Sequence, residues 1–389
     1  MMNALMTLET AKSGFHFVFG ANPQVVARAP GRLEILGNHT DYNEGVVLSV
    51  AVDRANIFAG SAIPGQECRV HDLSTKEDKT FQLDNLANPK PRDWTNYIKG
   101  TVVEMQKRGI AVPAFQATIM GNVPLSAGMS SSAAFEMAVV LTLARLAKVE
   151  IPWIEMAKIG QACENNYVGA RTGLLDQFSS LKGRDNSLVF SDFRSYEVKN
   201  IPLPAGTALV VANSMVKHHL TNEYNDRRAD CEAAVKFLQA KNPAIKALRD
   251  VSMAMLAAAE GEMDRRVLLR AKHPVGEDER VYAGIEALER GDVRTFGRLM
   301  LESHESSRLN FENSCDELDI LVETGRSLPG CLGARLSGGG FGGITVHLVQ
   351  ETEAERYARR LAEAYKTRTG KAADTMICHA APGAKLLEG

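Results

Sequence analysis

The stretch Pro124-Leu-Ser-Ala-Gly-Met-Ser-Ser-Ser-Ala-Ala134 decides the fold. A proline, a glycine and three consecutive serines stand directly before an apolar run at helical spacing. Upstream, Phe115 to Gly121 has the composition of a strand. Downstream, Phe135, Val139, Leu143, Leu146 and Ala147 share one face of a helix predicted over Phe135 to Lys148. Ser130, Ser131 and Ser132 therefore sit at a helix N-terminus, where unpaired N–H groups and the positive end of the helix dipole favour a phosphate. Their hydroxyls add donors and metal ligands. Serine also caps helices with no ligand present, so this stretch alone leaves a phosphate cradle and an ordinary cap both open.

Working outward, residues 15 to 60 read as strand, glycine-containing loop and strand: Gln24 to Arg28, Pro30 to Tyr42, then Val46 to Val50, with the middle segment too polar for a core. Pro152 opens a second helix with Ile154, Ala157, Ile159 and Cys163 largely on one side, leading to Glu164 and the loop before Asp176. After a turn at Arg184 to Asn186 come two short strands and the apolar run Ala208 to Ala212. The second half carries helices predicted over Asn222 to Gln239, Glu277 to Arg290 and Asp316 to Ser327. It closes with a strand at Gly333 to Leu336, glycines, a strand at Ile344 to Val349, a helix bearing Tyr357, Leu361 and Tyr365, and a strand at Thr375 to Cys378. Strands alternating with helices predict two α/β or α+β layers, divided near residues 200 to 220 into domains 1–205 and 206–389.

Composition narrows the function classes. A chain of 389 residues that is 45% hydrophobic supports two cores. Lys plus Arg number 45 against 47 for Asp plus Glu, so no basic field marks a nucleic-acid or anionic-membrane partner, and small polar substrates stay open. The six cysteines are scattered without CxxC pairs, and no stretch of about 20 apolar residues could span a bilayer. A cytoplasmic protein with reduced thiols is expected.

Gly338, Gly339, Gly340, Gly342 and Gly343 lie within six positions. Such glycines permit positive φ and close approach to a ligand, or simply a tight hairpin. Glu164 and Asp176 each follow small or apolar residues, and are either solvated charges or the flanks of a metal-bound phosphate. Phosphoryl transfer needs a phosphate cradle, Mg²⁺ ligands, a cation and an acceptor hydroxyl held in line. The chain has candidates for the first three, and a substrate brings the fourth.

Taken together these residues resemble a known family. Arg32, Gly37, His39, Thr40, Asp41, Tyr42 and Gly45 resemble the signature of galactokinases; Pro124 with Gly128 to Ala134 resembles the nucleotide loop of GHMP small-molecule kinases; Ser337 to Gly343 resembles their third motif. Trp94, Gly173 to Phe178, His218 and Ser303-His304 agree in order along most of the chain. The resemblance implies an α+β, two-domain fold, with an N-terminal α/β domain and a C-terminal ferredoxin-like domain, and an ATP- and Mg²⁺-dependent sugar 1-kinase. Asp176 would be base or orienting carboxylate and Arg32 would stabilise the transferring phosphoryl group. Ser132 and Glu164 would hold Mg²⁺. Pro124, Gly128, Met129, Ser130, Ser131, Ser132, Ala133, Gly339 and Gly340 would bind the nucleotide, with Trp94 facing adenine or serving as a core tryptophan. His39, Asp41, the Gly173 backbone and Tyr224 would recognise the sugar.

The pattern departs from the family at one pair. Galactokinases usually read Arg-x-Asn-x-x-Gly-Glu-His, whereas here Glu34 and Asn38 have exchanged acid and amide. Both belong to the expected sugar-binding set. The family glutamate bonds the 6-hydroxyl, and an asparagine would not repel a C6 carboxylate, so galactose, giving α-galactose 1-phosphate, is the expected substrate, and galacturonate or another C6-altered galactose is the alternative. A catalytically weak galactose and ATP sensor is the reading from another class, though the serine loop it would have damaged is intact.

Overall fold

The computed structural model describes residues 7–124, 128–216 and 220–389. Leu125 to Ala127 of the opening stretch, and His218, fall outside the described residues. The first half runs α1 (Leu8–Phe19), β1 (Val25–Leu36), β2 (Val46–Ala62), β3 (Glu67–Asp72), β4 (Glu77–Gln82), α2 (Asn96–Lys107), β5 (Phe115–Gly121), α3 (Ser131–Leu146), α4 (Trp153–Ala162), α5 (Leu175–Lys182), β6 (Ser187–Asp192) and β7 (Val198–Pro202). The second runs β8 (Thr207–Asn213), α6 (Leu220–Lys241), α7 (Met253–Ala258), α8 (Arg265–Glu289), α9 (Val293–Ser306), α10 (Asp316–Ser327), β9 (Cys331–Ser337), β10 (Ile344–Gln350), α11 (Ala354–Thr369), β11 (Asp374–Cys378) and β12 (Lys385–Glu388).

Eight strands form a mixed sheet in the order β12-β1-β2-β5-β3-β4, with β6 also on β2 and β7 on β6. Only β3 and β5 run parallel among these pairs. The other four strands form an antiparallel sheet, β11-β8-β10-β9. Numbered from β8, that is the order 4-1-3-2 of a ferredoxin-like layer, with α10 and α11 packed together against it. Helices α6 to α9 are inserted between its first two strands, and α6 to α8 share a separate apolar cluster around Cys231, Leu238, Leu256 and Leu268. A larger cluster joins the two sheets, with Leu33, Leu48 and Met129 from the first half packed with Leu209, Phe296 and Ile344 from the second.

Three segments differ from their sequence reading. The polar stretch at Pro30 was expected to open a loop, but β1 continues unbroken to Leu36, and Arg32 and Glu34 are buried on it. Burial of charge is tolerated because each meets an opposite charge supplied from far away in the chain. Helix α8 begins at Arg265 and passes through Pro274, where a helix break is the usual local outcome. Ala271 and Val275, on either side, pack into the helical cluster and carry the helix across. The chain end, finally, returns to the first sheet: β12 pairs antiparallel with β1 through Glu388 on Val26 and Lys385 on Arg28. No described helix is long and apolar enough to cross a membrane.

Candidate active site

A cleft of about 1080 Å³ lies where the two halves meet. At its centre Arg32, from β1, meets Asp176, in the first turn of α5. Arg32 Nε and Nη2 both reach Asp176 Oδ1, at 2.7 and 2.6 Å. The other oxygen, Oδ2, accepts from Ser130 Oγ at 2.5 Å. Arg32 Nη1 donates to the Gly128 carbonyl at 2.6 Å, so one guanidinium ties the serine loop to the acidic helix.

The serines are not mere caps. Ser130 precedes α3 with φ 53°, and its side chain makes no capping bond. Its hydroxyl goes to Asp176, and Ser132 Oγ donates to Glu164 Oε1 at 2.9 Å. Glu164 lies on a π-helical turn, Cys163–Val168, that follows α4. Such turns displace a side chain from regular helical register and recur at functional sites. Thr172 Oγ1 donates to Glu164 Oε2 at 2.7 Å, and Gln177 Nε2 at 3.3 Å. Burial raises the pKa of Glu164, the charge on Asp176 adds to it, and these donors oppose it.

At the other end stands the loop between β1 and β2. Asp41 faces Gly173 so closely that a Cβ there would lie 1.8 Å from Asp41 Oδ2; only glycine fits. Burial, then the nearby Asp176 and Glu34, push the Asp41 pKa up to about 7. Asn38 and His39 line the cleft, yet their polar atoms are already engaged. Asn38 Nδ2 donates to the Gly338 carbonyl at 3.0 Å and its Oδ1 accepts from Asn313 at 3.1 Å. His39 Nε2 lies 3.3 Å from the Gly339 carbonyl, which can only accept, so Nε2 carries the ring proton and Nδ1 accepts a hydrogen bond from the Tyr42 hydroxyl at 2.8 Å. Burial pushes the imidazole down to about 3, and it is neutral. Its ring packs against Phe311 and Tyr224, at 4.5 and 5.0 Å between centroids.

Glu34 does reach the cleft wall. Its Oε1 accepts from Arg335 Nη1 at 3.2 Å, and Arg335 is completely buried. Burial raises the Glu34 pKa, with Arg335 and then Arg32 opposing. The exchanged acid at position 34 thus meets a guanidinium from β9.

Trp94, Tyr97, Ile119 and Phe135 line the apolar side of the cleft beyond the serines. Trp94 Nε1 donates to Glu77 at 2.8 Å, and its ring lies 6.3 Å from that of Phe135. Pro124, Gly128, Met129 and the three serines also line it. Gly338, with φ 84°, approaches Gly128 backbone to backbone, its Cβ position 3.2 Å from the Gly128 carbonyl. Gly339 lines the cleft beside it. Gly340 and Ala133, expected at the nucleotide, do not: Gly340 lies under Asn313, whose carbonyl would stand 2.0 Å from a Cβ there, and Ala133 is buried beneath the helix start. Sequence reasoning missed Thr172, which neighbours the marked Gly173, and Asn56, whose amide donates to the Ser131 carbonyl at 2.9 Å.

Comparison with known proteins identifies the family. Residues 13–62 match the galactokinase galactose-binding signature, residues 96–184 the GHMP kinases N terminal domain and residues 285–367 the GHMP kinases C terminal model. A galactokinase of Roseiflexus sp. (strain RS-1) is 41% identical over 366 residues, 94% of this chain and 93% of that protein. The chain belongs to the galactokinase family. The human galactokinase is 37% identical over 392 residues, covering 98% of this chain and 96% of its own. The crystal structure of Lactococcus lactis galactokinase complexed with galactose superposes with a TM-score of 0.93 at 28% identity, over 97% of this chain and 99% of that one. Methanococcus jannaschii mevalonate kinase, at 16% identity and a TM-score of 0.64, shares the fold.

Proposed function

We propose that this galactokinase-family protein transfers the γ-phosphoryl group of ATP to the 1-hydroxyl of galactose, yielding α-galactose 1-phosphate and ADP. The observation that carries the reading is the position of Asp176. One of its oxygens lies on Arg32 and the other on Ser130, between the galactokinase-signature loop and the helix N-terminus. There the carboxylate orients the acceptor hydroxyl and takes its proton as the new O–P bond forms. Arg32 offsets charge on the transferring phosphoryl group, and the N–H groups at the start of α3 hold phosphate oxygens.

Ser132 and Glu164 suit Mg²⁺. Both are hard oxygen donors, already 2.9 Å apart, and Thr172 and Gln177 fix the carboxylate behind them. Among the described residues no cluster of three or more His, Cys, Asp or Glu could hold a metal. Two protein oxygens with the rest from phosphate and water is the set Mg²⁺ favours, and the ion would offset charge on the β- and γ-phosphates. Trp94 and Phe135 offer apolar surface to adenine.

For the sugar, Asp41 and Tyr224 supply polar atoms at the cleft, while Asn38 and His39, bonded within the protein, form its wall. The Glu34–Arg335 pair favours galactose over galacturonate, because it keeps a carboxyl at this wall and its guanidinium is wholly buried. The six cysteines are free and four are buried, which accords with a cytoplasmic setting.

The test is ADP release with galactose, galacturonate, glucose and N-acetylgalactosamine, in the wild type and Asp176→Asn. Galactose should be preferred, and the variant should lose about 10² or more in turnover, the scale of a positioned base. A preference for galacturonate, or a folded variant within about threefold of wild type, overturns the assignment. Binding without ADP release would mark a sensor.

A further inference from the structure

The loop from Gly37 to Val46 is held at both ends by two adjacent side chains of α8. At its start, the backbone N–H groups of Gly37 and Asn38 both donate to Glu277 Oε2 at 2.8 Å. At its end, Val46 N–H donates to Asp278 Oδ1 at 2.8 Å. Gly45 passes so near that a Cβ there would stand 2.5 Å from that same oxygen. The remaining Glu277 oxygen accepts from Arg280 Nε at 2.6 Å.

Between these anchors Thr40 Oγ1 reaches the carbonyls of Gly37 and Val46, at 2.8 and 2.7 Å, and Asn43 Nδ2 reaches that of His39 at 2.8 Å. His39 and Glu44 nevertheless have φ values of 61° and 58°. Non-glycine residues seldom adopt such conformations unless their surroundings impose them. Glu277 is completely buried. Burial alone would raise its pKa, but Arg280, His273, Arg335 and the Asn38 N–H hold it well below the usual carboxylate range. It is therefore an ionised acceptor, whose hydrogen bonds to N–H are stronger than those of a neutral one.

We propose that Glu277 and Asp278 are positioning residues for sugar binding, through which the helical insertion fixes the backbone of residues 37–46 and so places Asp41 and the Asn38–His39 wall in the cleft. The inference rests on the reading of this loop as the sugar side. Neither acid lines the cleft itself, so their influence on the sugar passes through the loop backbone. A role in stability alone would weaken use of both substrates together.

The experiment is steady-state kinetics on the full-length Glu277→Gln protein, varying galactose and ATP separately. Glutamine keeps the shape but turns an NH₂ group toward Arg280, or withdraws the acceptor from the loop. The galactose KM should rise about tenfold or more while the ATP KM stays within about twofold. If that variant does not fold, Asp278→Asn and Arg280→Lys probe the far anchor and the second oxygen, and should show the same split at about threefold. An unchanged galactose KM in a folded variant, parallel rises in both KM values, or failure of all three variants to fold overturns the proposal. The underlying reading is tested apart, by Asp41→Asn: if that change leaves the galactose KM unaltered, the loop is not the sugar side. If it raises the KM while Glu277→Gln does not, the loop reading stands and the anchoring role falls.

Discussion

At the scale of single residues, burial sets how readily the acids of the site hold a proton. Asp41 is the clearest case. Its pKa in the folded protein is pushed up to about 7 by burial and by the neighbouring Asp176 and Glu34, against about 3.9 in an unfolded chain. The folded state therefore holds a proton that the unfolded state releases, so the group favours folding fully below its unfolded pKa and loses that contribution as pH rises toward about 7. Asp41→Asn, which does not titrate, should become progressively more stable relative to wild type between about pH 5 and about pH 8 without sugar. Thermal melts across that range check it; a stability difference that does not vary with pH would show that Asp41 titrates as an ordinary carboxyl. The exchanged pair at 34 and 38 shows the same principle. Glu34 was legible as a departure from pattern, but its partner Arg335 lies 301 residues away, beyond any local signal.

At the scale of elements, the helix α3 and the π turn after α4 meet at Ser132 and Glu164. The helix was readable from its apolar periodicity and its small residues, because those are local properties of the chain. That Ser130 would turn from capping to Asp176 was not, since capping is serine's usual use at that place. If both side chains hold one ion, Ser132→Ala and Glu164→Gln should each raise the Mg²⁺ concentration for half-maximal activity by about 10-fold or more. The double variant should then lose far less than the product, because once the shared ion is weakened the second loss has little left to remove. Mg²⁺ titration of activity, with galactose binding followed separately by calorimetry, checks both points. Losses that multiply would mean the two residues act on different things. The polar strand at Pro30 to Leu36 was read as a loop for a related reason: hydropathy cannot register charges that are neutralised in pairs.

At the scale of the whole molecule, the chain end closes the first sheet. β12 adds to the edge of β1, and Glu388 pairs with Lys12 of α1 at 2.6 Å. Removing residues 385–389 should cost about 1–3 kcal/mol and lower the melting temperature by roughly 2–10 °C. Turnover should hold within about twofold where the shortened protein is folded, because Arg32 and Glu34 lie further along β1 than the pairing at Val26 to Arg28. Melts and kinetics on the shortened chain check this. A melting temperature equal to the full chain's would mean the strand adds nothing.

The sequence by itself determined the serine-led helix, the glycine cluster, the order of the motifs and hence the family, because each is written in consecutive residues whose spacing follows helix and strand periodicity. Tertiary structure alone decided which charges meet. Glu277 reaches Gly37 across 240 residues and Asp278 reaches Val46 across 232. Nothing near Glu277 in sequence distinguishes it from a solvated helix acid. Folding removes it from water and leaves it two backbone N–H groups and an arginine, and that desolvated geometry is what gives the residue its role.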